Sequence, residues 1–262
     1  MIPLFSKGSL VVLESLSFTK TLYAFDFDGT LAKIVSDPEA AAMAKTTEVL
    51  LSQLSKIAPV AIISGRSIED LKKRISFNPK FLVGNHGLEG IESKNGSLEK
   101  AQKTCTAWTK LLYNEEFESG VEIEDKVYSI AIHYRKARNK TKARAQIKSI
   151  ISYITPKPNI ILGKCVVNIL PADAPHKGAA LQKLMQISEM KHAFYIGDDD
   201  TDEDIFSLPY HSGQIMSVRV GKKIKSQASY YIERQSEINR LIKTLIKFHQ
   251  PRDDSSKLEE LR

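Results

Sequence analysis

The chain has 262 residues, 42% of them apolar and 26% charged, which excludes a disordered or fibrous protein and predicts one large or two modest domains. Its net charge of +7, from 38 Lys and Arg against 31 Asp and Glu, suits an anionic ligand. The basic residues are scattered and lack interleaved aromatics, so nucleic acid is not an expected partner. No apolar run reaches the ~18 residues of a membrane span, so no membrane association is expected.

The patch Leu10–Leu13 is interrupted by Glu14 and no small-residue cleavage site follows, so a secretory leader is not expected. Cys105 and Cys165 have no metal-type spacing. They read as reduced packing residues of a cytoplasmic chain, expected to be a monomer. Leu22–Phe27, apolar but for Asp26 and closed by Asp28-Gly29, predicts a buried strand. Leu50, Leu54 and Ile57 recur at helical spacing, residues 59–63 form a second strand, Glu69–Ile75 a helix and Phe81–Val83 a third strand. This alternation predicts a parallel sheet with helices on its faces.

After about Ile91 the rhythm changes. A helix is predicted over Ala101–Phe117, strands over Gly120–Glu124 and Tyr128–Tyr134, then a basic helix carrying Ala143, Ile147, Ile150 and Ile154. A hairpin of Ile160–Leu162 and Cys165–Leu170 follows. The α/β alternation then resumes with a helix over Lys177–Ile187, a strand over Ala193–Ile196, a short helix over Asp202–Leu208 and a strand over Met216–Val220. A last helix carries Ile238, Leu241, Ile242 and Leu245. The predicted fold class is therefore α/β, a doubly wound, mostly parallel sheet with an inserted α+β block. The core comprises residues 1–91 and 172–250, the insert residues 92–171, and a polar, frayed tail residues 251–262.

Ligands of open α/β sheets bind beyond the carboxyl ends of the strands. Four such places carry chemistry. In Asp26-Phe-Asp-Gly-Thr30, residues i and i+2 of an extended strand share a side, so Asp26 and Asp28 leave the sheet together. The pair suits a nucleophile with an acid, a metal site, or simply a helix cap. Residues 197–204 hold six acids in the seven positions after Gly197, more than one helix end needs. A hard divalent cation such as Mg²⁺ would relieve their repulsion. Ser64-Gly65-Arg66 combines a hydroxyl, a backbone N–H and a guanidinium, either an oxyanion cradle or an ordinary N-cap. Lys177, opening a helix, opposes the helix dipole and is either aimed at a phosphate or exposed at the surface.

Together these stretches resemble the haloacid-dehalogenase-like phosphatases: Asp26–Thr30 matches their first motif, Ser64 the second, Lys177 the third and Gly197-Asp-Asp199 the fourth. The insertion between the second and third resembles their two-αββ cap. Residues 25–31, 62–67, 84–89, 133–135, 163–167 and 197–203 resemble, more narrowly, the trehalose-6-phosphate phosphatases, over about residues 22–245.

The resemblance implies Asp26 as nucleophile and Asp28 as general acid and base. It implies Mg²⁺ held by Asp26, the Asp28 carbonyl and Asp198, with Asp199 or Asp202 close by, and phosphate bound by Ser64 and Lys177. Arg66, His86, Glu89, His133, Arg135 and Asn168 are the candidate contacts for the sugar phosphate; His133 and Arg135 equally suit a strand pair binding its own sheet. Where the family carries a glutamate and a basic residue, this chain has Asn168 and Leu170. A different disaccharide or glycosyl-glycerate phosphate is therefore the alternative substrate, and a non-catalytic sugar-phosphate sensor the alternative class.

Overall fold

Every residue of Thr21–Phe25 is buried, as a strand covered on both faces requires. The structure is a computed structural model that describes residues 1–35, 37–91, 96–208 and 214–250. In chain order its elements are β1 (Ile2–Pro3), α1 (Lys7–Ser15), β2 (Thr21–Phe25), α2 (Lys45–Ile57), β3 (Val60–Ile63), α3 (Ile68–Arg74) and β4 (Phe81–Val83). Then come α4 (Ser97–Tyr113), β5 (Glu122–Asp125), β6 (Ile130–His133), α5 (Lys140–Ser152), β7 (Asn159–Gly163) and β8 (Val166–Leu170). The chain ends through α6 (Lys177–Ile187), β9 (His192–Gly197), α7 (Glu203–Phe206), β10 (Ile215–Val220), β11 (Tyr230–Ile232) and α8 (Ile238–His249).

Seven strands form one wholly parallel sheet in the order β1-β11-β10-β9-β2-β3-β4. Side chains alternate between its faces. Tyr23, Phe25, Val60, Ile62, Phe194 and Ile196 pack with Leu13 of α1, Leu51 and Leu54 of α2 and Leu241 and Leu245 of α8. Leu22, Ala24, Ala61, Ile63 and Tyr195 face the other way, onto Leu181 and Leu184 of α6 and Ile205 and Phe206 of α7. The chain winds outward from β2 to β4, then returns to β9 on the other side of β2 and winds out to β11. The order reverses between β2 and β9, the place where such sheets open a crevice.

The second sheet is antiparallel, β5-β6-β8-β7. Trp108 and Leu112 of α4 and Ala143, Ile147 and Ile150 of α5 cover one face of it, making a third apolar cluster. The expected hairpin over Gly163-Lys164 is present, with Cys165 at φ 65° closing the turn.

Several boundaries differ from expectation. β2 stops at Phe25, because the Asp26 N–H still bonds Ile196 but the chain then turns toward Gly29. The helix expected from Ala101 begins at Ser97 and ends at Tyr113. The expected Asp202–Leu208 helix is a 3₁₀ turn, Asp200–Asp202, followed by the single turn of α7. The Leu10–Leu13 patch lies in α1, with Leu13 buried. The edge strands β1 and β11, two and three residues long, leave too short a pattern to read. The expected start of the insert at residue 92 and the tail from 251 lie outside the described residues.

Gly178, second in α6, is where the helix meets the single turn of α7: a Cβ there would lie 2.2 Å from the backbone oxygen of Asp204. Gly178→Ala is expected to destabilise the protein by about 1–3 kcal/mol, because a backbone oxygen cannot rotate away. That exceeds the roughly 1 kcal/mol an alanine gains in helix propensity. A lowered Tm in thermal unfolding checks it; an unchanged or raised Tm would show that α6 and the turn can separate freely.

Candidate active site

The acidic and basic groups singled out above converge on the crevice between β2 and β9. Asp26 follows β2, Asp198 follows β9, Ser64 follows β3 and Lys177 opens α6. All four line one cavity of about 430 Å³, together with Asp28, Arg66, His86 and Asp199. Its other wall comes from the second sheet and includes His133, Arg135 and Asn168. Asp202 and Glu89 are not part of the lining.

Lys177 is almost wholly buried and its ammonium sits between two carboxylates, 2.7 Å from Asp26 Oδ1 and 2.7 Å from Asp202 Oδ1. The surface alternative for this lysine does not hold. Burial opposes its charge, but Asp202 and Asp26 more than offset that and hold it protonated. Asp202 also accepts from the Tyr195 hydroxyl at 2.6 Å, and its Oδ2 accepts from the Asp199 N–H at 2.9 Å. Both its oxygens are thereby engaged in holding Lys177 and the loop after β9.

One oxygen from each of Asp26, Asp198 and Asp202 lies within 4.8 Å of the others. Burial, followed by its acidic neighbours Asp202 and Asp199, pushes Asp198 up to about 7. Asp26 is also raised well above the usual carboxylate range, by burial first and then by Asp202 and Asp198, with Lys177 pulling the other way. Asp198 Oδ1 is buried without a hydrogen-bond partner. Hard oxygen donors that resist ionisation, one of them orphaned, fit a divalent cation, which would supply the missing positive charge. Gly29, at φ 80°, permits this crowding: a Cβ there would meet the Asp198 carboxylate at 2.2 Å.

Asp28 has a different environment from the one its spacing suggests. Its neighbour is cationic: Arg66 donates from Nε to Oδ2 at 2.6 Å and from Nη2 to Oδ1 at 2.7 Å. The carboxylates crowd Asp26 instead, because the turn at Gly29 sends the two side chains to different partners. Arg66 also donates to Asp70 at 2.6 Å and lies over the Phe27 ring. Ser64 keeps its N-cap-like local bond, accepting from the Arg66 N–H at 3.2 Å, and it also lines the cavity.

The loop after β4 carries His86 and Glu89. Asn85 and His86 adopt positive φ, 47° and 59°, which brings the imidazole against Gly65. Burial, with Lys177 and Lys126 nearby, holds His86 well below its ordinary range, so it is neutral. Glu89 braces the loop: it accepts from the Ile68 N–H at 3.0 Å and from Asn85 Nδ2 at 2.8 Å. Asn85 reaches the second sheet's turn, accepting from the Ser129 hydroxyl and donating to the Lys126 carbonyl at 3.3 Å.

On that far wall, His133 Nε2 is 2.8 Å from Glu124 Oε2, and Arg135 donates to the Lys164 carbonyl at 3.0 Å. Both therefore have strand-pair partners as well as a place on the cavity. Burial raises the proton affinity of Glu124, but His133 and Lys126 outweigh it and the net effect lowers it. Asn168 faces the same cavity; Leu170 does not. His176 caps α6, its Nδ1 accepting from the Ala179 N–H.

Sequence reasoning missed Glu124, Lys126 and Lys164 on the far wall, and Arg219 beneath the site. Arg219 is almost fully buried and donates to the backbone oxygens of Asp198 and Asp199, and at 2.9 Å to Glu203. A lone arginine inside the apolar strand β10 was the available signal. Lys126 lies in a turn and carried none.

A family model described as trehalose-phosphatase matches residues 24–236. A probable trehalose-phosphate phosphatase E of Arabidopsis thaliana is 28% identical over 249 residues, covering 87% of this chain and 70% of that protein. Two solved structures share the fold. The C-terminal domain of Candida albicans trehalose-6-phosphate phosphatase has a TM-score of 0.73 at 23% identity, covering 94% of this chain and 98% of that one. A trehalose-6-phosphate phosphatase related protein has a TM-score of 0.71 at 22% identity, covering 86% and 97%. With its motifs gathered in one crevice of a haloacid-dehalogenase-like sheet, the chain belongs to the trehalose-phosphatase family, whose members are phosphoric monoester hydrolases.

Proposed function

We propose that the chain hydrolyses trehalose 6-phosphate to trehalose and phosphate through an aspartyl-phosphate at Asp26. The observation that carries this reading is the convergence of Asp26, Asp198, Lys177 and Ser64 on one cavity whose opposite wall is a separate sheet. Lys177 holds Asp26 Oδ1, and the other carboxylate oxygen attacks phosphorus while the bond from phosphorus to the sugar oxygen breaks. Asp28 has 40% of its side chain exposed on the cavity, and each of its oxygens keeps a lone pair beyond its bond from Arg66; a proton taken up there is given to the leaving sugar oxygen. Asp28 then takes a proton from the water that attacks the aspartyl-phosphate, which restores Asp26. Ser64 and Lys177 hold the phosphoryl oxygens.

Mg²⁺ is the cofactor in this reading, held by Asp26 and Asp198, with the Asp28 carbonyl and Asp199 beside it; bound, it neutralises carboxylates that must accept a dianionic phosphoryl group. Residues 92–171 act as the cap that reads the sugar, through His133, Arg135 and Asn168, over a core of residues 1–91 and 172–250. We place the chain in the cytoplasm as a monomer; its thiols, Cys105 and Cys165, are free. No described helix is long and apolar enough to cross a membrane. A second reading keeps the chemistry but takes another disaccharide or glycosyl-glycerate phosphate, because the cavity presents Asn168 where the family carries a glutamate.

Asp26→Asn is expected to lower turnover by at least about 10³-fold while leaving the thermal transition in place; full turnover by this variant excludes Asp26 as nucleophile. In a phosphate-release panel, trehalose 6-phosphate is expected to be the best substrate. A faster glycosyl-glycerate or other disaccharide phosphate decides for the second reading.

The cation has a pH signature. Asp198, raised to about 7 by burial and by Asp202 and Asp199, must lose its proton before it can ligate. The rise in Tm produced by a fixed Mg²⁺ concentration is therefore expected to grow from pH 6 to pH 8, and chelation should abolish activity until Mg²⁺ is restored. A Tm increment that is flat across this window would remove Asp198 from the ligand set.

A further inference from the structure

Arg66 is held by two carboxylates at once. Its Nε and Nη2 take both oxygens of Asp28, and its Nη1 donates to Asp70 Oδ2 at 2.6 Å. Asp70 is itself held: Arg74 Nε donates to its two oxygens at 2.9 and 3.0 Å. Arg74 is anchored in turn, its Nη1 donating at 2.7 Å to the Glu39 carbonyl and at 2.7 Å to the Ala41 carbonyl. Asp70 and Arg74 stand one turn apart on α3, and Arg66, two residues before the helix begins, reaches the same carboxylate from its N-terminal side.

The row is sheltered, with side-chain exposures of 10% for Arg66, 23% for Asp70 and 9% for Arg74. Exposed ion pairs contribute little, but this row is shielded from water and ends on a carboxylate of the reaction centre. An arginine has many rotamers, and a bidentate bond works only when the guanidinium and carboxylate planes align. Asp28 alone does not select one rotamer of Arg66. Asp70 gives the guanidinium a second charged fixed point.

We propose that Asp70 is a positioning residue: it sets the plane of the Arg66 guanidinium, which sets the orientation of the Asp28 carboxylate, and Arg74 keeps Asp70 in place. The proposal rests on the reading of Asp28 as the acid that protonates the leaving oxygen. An alkoxide leaves poorly and depends on that proton, whereas p-nitrophenolate leaves readily without it. Misorienting Asp28 therefore harms a sugar ester selectively.

The test compares two esters in the full-length protein with Mg²⁺. Asp70→Asn keeps the shape of the side chain and leaves the bond from the Asp70 N–H to the Ser67 cap in place. Its kcat on trehalose 6-phosphate is expected to fall about 10- to 100-fold. On p-nitrophenyl phosphate kcat should fall less than about threefold, with KM for both esters within about threefold. Asp70→Glu, which restores the charge, should recover much of the loss. Should Asp70→Asn fail to fold, Arg74→Lys, which loosens Asp70 without touching Arg66, should show the same gap in weaker form.

Equal losses on both esters, or no loss on either, overturn the positioning role. Asp28→Asn is measured alongside as the reference. If it shows the gap between esters and Asp70→Asn does not, the relay alone fails. If Asp28→Asn shows no gap, the acid assignment fails and the proposal falls with it.

Discussion

The buried ammonium of Lys177 is the interaction on which the site depends. A lone cation in that position would be driven to lose its proton by desolvation, and a lone pair of buried carboxylates would be driven to gain one. Lys177 bonded to both Asp26 and Asp202 satisfies all three, and Tyr195 and the Asp199 N–H complete the Asp202 side of the arrangement. Its three anchors come from the end of β2, the start of α6 and the turn after β9. Those elements meet only because the strand order reverses between β2 and β9. Topology and electrostatics thus fix the same point in space.

Charge at this point is still unbalanced. Counting Asp198, three carboxylates face one ammonium, with Arg219 contributing from below through the backbone oxygens of Asp198 and Asp199. The resulting rise in proton affinity at Asp26 and Asp198 is relieved by any added positive charge, which is why the cluster fits a divalent cation. Asp28, two residues on, faces the Arg66 guanidinium instead. Two carboxylates separated by one residue thereby have opposite electrostatic surroundings.

Much of this was legible in the chain. Leu22–Phe25 and Val60–Ile63 are buried on both faces, so they read as unbroken apolar runs, and they are followed by Asp26 and by Ser64-Gly65, which mark the crevice. The acidic run after Gly197 exceeded any capping need, and Lys177 contradicted its helix dipole; both anomalies lie at the crevice. What stayed hidden depends on tertiary contacts. Whether Asp28 faces cations or anions is decided by Arg66, 38 residues away. The dual partners of His133, cavity and Glu124, are decided by strand pairing. Glu89 looked like a ligand-facing acid, but its oxygen is taken up by Ile68 and Asn85. The edge strands β1 and β11 are too short to leave a period.

Asn85 has a mechanical consequence. Held by the Arg66 carbonyl and Glu89 on one side, it grips Ser129 and the Lys126 carbonyl on the other, so its amide, together with the Lys126 ammonium donating to the Gly65 carbonyl at 3.3 Å, joins the two walls at one end of the crevice. Tearing it away would strand buried donors and acceptors, at about 1–3 kcal/mol for each group left unsatisfied. Widening the crevice by sliding one sheet over the other would break this joint, whereas swinging about it would not.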